Sequence, residues 1–163
     1  MKARIFLFSF VWIAGVALVF PGCKGGKKSN GNAVADPNAE FLVINHVGCR
    51  GTCPAYNVIV KEGGYVRYEG RRAVEMMGFF EKEIDQPKVK ELKETLLAAK
   101  FFEFDSLYGG GVADLPYVII TATIDGKKKS VTNIRFAPES LNALPEKLEK
   151  IIGSDGYRQR TGE

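Results

Sequence analysis

The sequence is poor in the side chains that most often carry catalysis or bind metals. Its 163 residues include one histidine, one tryptophan and three cysteines. The histidine, His46, has no serine or aspartate partner in a recognisable triad motif, and the chain contains no Gly-x-Ser-x-Gly nucleophile elbow. Its glycine triplet lacks the Gly-Lys-Ser/Thr ending of a phosphate-binding loop. These absences favour a protein that is not an enzyme, and the sequence predicts no catalytic residue, cofactor or metal.

The sequence also lacks a hydrophobic run of membrane-spanning length. Its longest apolar stretch, residues 5–20, covers 16 positions, whereas a transmembrane helix needs about 20. Lys2 and Arg4 precede this stretch, and Gly22 and Cys23 follow it. This order of charged, apolar and small residues is that of an export signal. Its ending resembles a bacterial lipoprotein signal, in which cleavage leaves a lipid-modified cysteine as the new N-terminus.

We therefore predict a lipoprotein signal peptide over residues 1–22 and lipid attachment at Cys23, with palmitate among the acyl groups. Residues 23–40 contain few large apolar side chains, so they predict a flexible tether. The protein would then face the periplasm or the cell surface, held to a membrane of the cell envelope by its lipid. An uncleaved membrane anchor and a secreted protein with a free Cys23 are the alternatives.

The chain has no strong excess of charge of either sign. Its formal net charge is +4, and loss of Lys2 and Arg4 with the signal peptide lowers it to +2. A nearly neutral domain offers no electrostatic attraction for nucleic acid. The predicted partners are therefore the membrane, through the lipid, and an envelope protein or ligand that the sequence does not name.

Residues 41–153 provide enough chain for one domain, and residues 154–163 are expected to form a C-terminal tail. Short runs that alternate or are rich in β-branched residues predict strands, and Asp125-Gly126 is a strong hairpin signal. Hairpins separated by single helices predict an α+β fold, an antiparallel sheet with about two helices on one face. We predict strands over 41–47, 56–61, 65–69, 117–124 and 127–136, one or two more within 71–84, and helices over 85–102 and, broken near Pro145, 138–152.

Two cysteines lie close together in Cys49-Arg50-Gly51-Thr52-Cys53-Pro54. In an exported protein a disulfide is the usual fate of such a pair, and closing so small a loop stabilises the fold by roughly 2 kcal/mol. A thiol–disulfide exchange site is one alternative, because small strained disulfides are easily reduced. A copper or zinc site is another, with His46 as a third ligand.

The motif Cys-x-x-x-Cys-Pro also resembles that of copper-delivery proteins with a thioredoxin-like fold. Those proteins place a helix after the second cysteine and a histidine far downstream. Here a strand pattern follows Cys53 and the histidine lies upstream, so the likeness ends at the motif.

A wider resemblance rests on motifs spread along the chain: Cys49-x-Gly51-x-Cys53-Pro54-x-Tyr56, Tyr68-x-Gly70, Phe101-Phe102, Asp114-x-Pro116 and Pro138-x-x-Leu141. Over residues 41–152 the chain resembles a domain-of-unknown-function family of exported and lipid-anchored bacterial proteins. The resemblance implies export and lipid anchoring but no particular activity.

The sequence as a whole favours a non-catalytic binding or interaction module on a lipid tether. Contacts with partners concentrate on loops held by a rigid sheet, so the expected binding side carries the cysteine loop and the segment 109–116. Tyr56 and Asp114 are the polar candidates on that side. The alternative is an envelope thiol or metal protein that uses Cys49, Cys53 and His46.

Overall fold

The computed structural model describes residues 36–110 and 114–160. The predicted signal peptide, Cys23 and nearly all of the predicted tether lie outside the described residues, as do residues 111–113 and 161–163. Within the described part of the chain, no helix combines the length and the hydrophobicity needed to cross a membrane.

The described residues form one eight-stranded sheet. Neighbouring strands are antiparallel, except for β5 and β7, which are parallel. The strand order across the sheet is β5-β7-β6-β1-β2-β3-β4-β8. The strands are β1 (Glu40–Val47), β2 (Ala55–Lys61), β3 (Tyr65–Arg72), β4 (Gly78–Glu83), β5 (Leu107–Tyr108), β6 (Tyr117–Ile124), β7 (Lys127–Asn133) and β8 (Arg158–Gln159).

The described helices are α1 (Gln86–Ala98), a short 3-10 turn (Phe101–Glu103), α2 (Glu139–Asn142) and α3 (Leu144–Ile152). The side chain of Asp85 caps α1 by accepting a hydrogen bond from the backbone N–H of Lys88 at 3.1 Å. Pro145 lies in the first turn of α3, where its missing N–H is not needed. Ala143, which ends α2 and precedes α3, therefore marks the break predicted near Pro145.

In the part of the chain that the structure describes, one hydrophobic core lies between the helices and one face of the sheet, which confirms the predicted α+β class. Alternate residues of the strands point towards the helices, as the period of a strand requires. Leu42, Ile44, Val60, Val66 and Ile120 come from the strands, and Leu92, Leu96, Leu144, Leu148 and Ile152 from the helices; all are at most 2% exposed.

The helices connect opposite sides of the sheet. α1 carries the chain from β4 towards β5 and β7, and α2 and α3 follow β7 and lead back to β8 beside β4. Strands β1 to β4 are consecutive neighbours and form a meander. The last helix and the residues after it therefore lie over β1, β2 and β3. This path brings residues about 100 positions apart into contact, such as His46 and Glu149.

The segment after residue 153, predicted to be a tail, is in part structured. Tyr157 packs against the hydrophobic core, β8 pairs with β4, and the N–H of Arg160 donates to the carbonyl oxygen of Phe79 at 2.9 Å. A strand of two residues is too short to show an alternating pattern, so the sequence did not reveal it. The domain thus reaches at least Arg160.

The opposite face of the sheet carries no helix among residues 36–110 and 114–160. Tyr65 lies on this face and donates a hydrogen bond from its hydroxyl to Oε2 of Glu81 at 2.9 Å. Burial and the neighbouring Glu81 raise the pKa of Tyr65. This pair provides a tyrosine–carboxylate contact remote from the helix side of the sheet.

Candidate functional site

The cysteine loop connects β1 to β2, and a disulfide joins Cys49 to Cys53 across it. Their Cα atoms are 5.4 Å apart. The backbone N–H of Gly51 donates to Sγ of Cys49 at 3.3 Å, and the guanidinium of Arg72 in β3 donates to the Cys49 carbonyl oxygen. The loop is thus tied both to itself and to the next strand.

Asp114 contacts this loop through Arg50. The Nε atom of Arg50 lies 2.8 Å from Oδ1 of Asp114, with the two side chains 86% and 45% exposed. An ion pair this exposed contributes at most about 1 kcal/mol. It nevertheless shows that the two loops expected to form the binding side do meet.

A set of polar contacts lies next to the loop, on the helix side of the sheet. His46 and Tyr56 are directly paired across β1 and β2, and their rings stack with centroids 4.2 Å apart. The carboxylate of Glu149 in α3 contacts both side chains. Its Oε1 lies 2.8 Å from Nε2 of His46, and both carboxylate oxygens accept from the Tyr56 hydroxyl at 3.1 Å.

Two further tyrosines extend this stack across the sheet. Tyr68 of β3 lies beside Tyr56 with ring centroids 5.5 Å apart, and Tyr157 meets Tyr68 edge to face at 5.8 Å. The rings of Tyr68 and Tyr157 therefore form a corner, since the angle between their planes is 61°. We call His46, Tyr56, Tyr68, Tyr157 and Glu149 the aromatic cluster.

The electrostatics of the aromatic cluster keep its tyrosines neutral. Burial, followed by the charge and the hydrogen bond of Glu149, raises the pKa of Tyr56 far above its usual value. Burial and the same carboxylate also raise the pKa values of Tyr157 and Tyr68. The three tyrosines therefore stay protonated at neutral pH, and Glu149 is the acidic side chain that they surround.

A cavity of about 250 Å³ opens at the aromatic cluster. It is partly open to solvent, and most of its wall is apolar. Its lining residues are Tyr56, Val58, Tyr68, Met76, Glu149, Ile152, Gly153, Ser154 and Tyr157.

Lys82 binds two residues of the cavity wall, Ile152 and Gly153, through their backbone carbonyls. Its side chain is 5% exposed, and its Nζ donates to the carbonyl oxygens of Ile152, Gly153 and Asp155 at 2.7, 2.6 and 3.1 Å. These carbonyls lie at the C-terminal end of α3, where a cation is favourable. The same ammonium lies 4.4 Å from the ring centroid of Tyr157. Lys82 thereby links the end of α3 to Tyr157, and burial lowers its pKa.

The structure separates the site residues that the sequence singled out. Tyr56 belongs to the aromatic cluster, whereas Asp114 pairs with Arg50 at the tip of the cysteine loop. His46 interacts with Glu149, and Cys49 and Cys53 are bonded to each other. No group of three histidine, cysteine or acidic side chains that could hold a metal occurs among the residues that the structure describes.

Sequence reasoning missed Glu149 and Tyr157. The sequence did indicate that His46 and Tyr56 point towards the core, because each lies two positions from a buried residue of the same strand, Ile44 or Val58. Glu149 lies three positions before Ile152, on the side of α3 that faces the sheet. What the sequence could not provide was the register that brings α3 over β1 and β2.

The family of the chain is shown by its match to a family model described as Domain of unknown function (DUF6438), which covers residues 40–152. The match spans more than half of the sequence, so the chain belongs to that family. It includes the cysteine loop, His46, Tyr56, Tyr68 and Glu149, and it ends before Tyr157. No curated protein matches the chain.

Proposed function

We propose that this member of the DUF6438 family is a cell-envelope lipoprotein whose domain is a non-catalytic binding module, with the cavity at the aromatic cluster as its binding site. The observation that carries the binding role is the cavity itself. It combines apolar and aromatic walls with one placed carboxylate, the composition typical of ligand sites.

The envelope location rests on the sequence. Lys2, Arg4 and the apolar run before Cys23 have the order of a lipoprotein signal, and the disulfide suits an oxidising compartment. Two or more acyl chains on Cys23 would hold the protein stably at a membrane. We expect Cys23→Ser to release the protein from the membrane fraction. Continued membrane association of that variant would contradict the lipid anchor.

The binding role is tested by blocking the cavity. Met76 lines the cavity, whereas its neighbour Met77 is 51% exposed and does not. We expect small molecules from envelope extracts to raise the melting temperature of the full chain and of Met77→Trp but not of Met76→Trp. The binding role is rejected if every stabilising compound acts equally on both variants, or if none is found.

A second candidate function is thiol–disulfide exchange at Cys49 and Cys53. It is favoured by the hydrogen bond from the Gly51 N–H to Sγ of Cys49 and by the cation of Arg72 at the same residue, since both would stabilise a Cys49 thiolate. A reduction potential of roughly −200 mV would support exchange, and one below about −300 mV would mark a structural bridge. Copper or zinc bound stoichiometrically to the reduced protein would instead support the metal alternative with His46.

A further inference from the structure

We propose that the cavity at the aromatic cluster binds a small organic cation, an alkylated ammonium group, between its tyrosine rings and Glu149. The inference rests on the proposed binding role and names the chemistry of the ligand.

Aromatic rings form part of the cavity wall, although Tyr56 is itself stacked between His46 and Tyr68. Tyr56, Tyr68 and Tyr157 all line the cavity, with Tyr68 and Tyr157 set as a corner. The face of an aromatic ring attracts a cation within about 6 Å of its centroid. A group placed in that corner contacts two rings at once, and the flexible, polarisable side chain of Met76 adds to the apolar wall together with Val58 and Ile152.

The charge around the cavity is complementary to a cation. Glu149 lines the cavity, and no lysine or arginine does so among the described residues. The tyrosines contribute no competing charge because they stay neutral. Lys82, the cation beneath Tyr157, is buried and gives its three N–H groups to backbone carbonyls. Glu149, whose oxygens also bond His46 and Tyr56, is thus the charged side chain that lines the cavity. The ammonium of Lys88 lies outside this lining, 3.9 Å from the position that a Cβ on Gly153 would take.

The fold already contains one ammonium bound to a ring of this cluster. Nζ of Lys82 lies 4.4 Å from the centroid of Tyr157, within cation–π range. An alkylated ammonium suits the cavity better than a primary ammonium, because its methyl groups contact apolar walls that offer few hydrogen-bond acceptors. The cavity, at about 250 Å³, is smaller than the roughly 300–1,000 Å³ of sites for drug-sized ligands. Its occupant is thus a head group or a single side chain.

The experiment compares choline with its neutral isostere, 3,3-dimethyl-1-butanol, on the full chain with ¹³C-labelled methionine methyl groups. The methyl resonance of Met76 reports on the cavity, and that of the exposed Met77 serves as an internal control. We expect choline to shift the Met76 resonance with saturation and the isostere to bind at least about 10-fold more weakly. Equal binding of the two would overturn the cation inference while leaving the binding role in place.

Matched variants separate the carboxylate from general charge effects. Glu149→Gln keeps the shape of the side chain and one acceptor oxygen for the Tyr56 hydroxyl, and we expect it to weaken choline binding by roughly 10-fold. Glu81→Gln removes a carboxylate that also accepts from a tyrosine but lies on the other sheet face, and it should leave choline binding unchanged. Equal losses in the two variants would show only a long-range charge effect and overturn the assignment.

Two results would reject the ligand class outright. One is the absence of any Met76 shift up to on the order of 10 mM choline, an affinity too weak for a specific site. The other is a shift confined to Met77. Either result leaves the binding role to be judged by the Met76→Trp and Met77→Trp comparison, so failure of the ligand class and failure of the binding role are distinguishable.

Discussion

Lys82→Met tests how the end of α3 is held on the sheet. The substitution keeps the length of the side chain but removes the ammonium that three backbone carbonyls accept from. Ile152, whose carbonyl is the most buried of the three, is 2% exposed. A buried acceptor left without a partner costs about 1–3 kcal/mol, and loss of a cation at a helix C-terminus costs about 0.5–1 kcal/mol.

An opposing effect reduces this loss. Burial lowers the pKa of Lys82, which means that folding pays a desolvation cost for its charge, and methionine removes that cost. We therefore expect a net decrease of about 2 kcal/mol in the free energy of unfolding, a substantial part of the 5–15 kcal/mol typical of domains. Urea denaturation at neutral pH, followed by far-ultraviolet circular dichroism, measures it.

Lys88→Met is the matched control. Lys88 lies near the same helix end, and its positive charge is one of the causes that lower the pKa of Lys82. Its removal should leave stability unchanged or slightly higher. A change of less than about 0.5 kcal/mol in the free energy of unfolding of Lys82→Met, the usual range for surface substitutions, would show that Lys82 does not hold the end of α3.

Three further predictions concern the cysteine loop, Tyr56 and Gly70. Replacing both Cys49 and Cys53 by alanine should lower stability by about 2 kcal/mol in denaturant titrations, and an unchanged midpoint would show that the bridge is not structural. Because the pKa of Tyr56 is raised in the folded protein, its contribution to the free energy of unfolding is fully present below pH 10.0, the pKa of an unfolded tyrosine, and is lost as the pH rises above that value. Between pH 10 and 11 the free energy of unfolding should therefore fall less in Tyr56→Phe than in the wild type, by up to about 1.4 kcal/mol. Parallel curves of unfolding free energy against pH for the two proteins would contradict the raised pKa. Gly70→Ala should cost about 1–3 kcal/mol, because its Cβ would overlap the carbonyl oxygen of Met76; a wild-type melting temperature would count against this close approach.

The sequence predicted most of the fold because its signals are local. Alternation predicted the inward face of β2, and β-branched apolar runs predicted β1 and β6. The Asp125-Gly126 turn has the positive φ angles, 51° and 76°, that its hairpin needs. The helix at Gln86–Ala98 followed from its apolar spacing and its Asp85 cap. These features depend on neighbours within a few residues, which is why one sequence was enough to find them.

The site was harder to predict because it is made by long-range packing. Tyr56 was singled out, but its partner Glu149 is 93 positions away, and nothing local pairs the two. Tyr157 comes from a segment expected to be a tail, since β8 is only two residues long. Asp114 was named with Tyr56 as a polar candidate on the loop side, and its observed contact is with Arg50 of the cysteine loop.

The contact between His46 and Glu149 also limits the order in which parts of the domain can fold during synthesis. His46 emerges from the ribosome more than 100 residues before Glu149, and Tyr157, which closes the cavity, comes later still. The hairpins of the meander can form early, because their partners are close in sequence. The cavity cannot form until nearly the whole chain is available, so any truncation that stops before Tyr157 yields a sheet with an incomplete site.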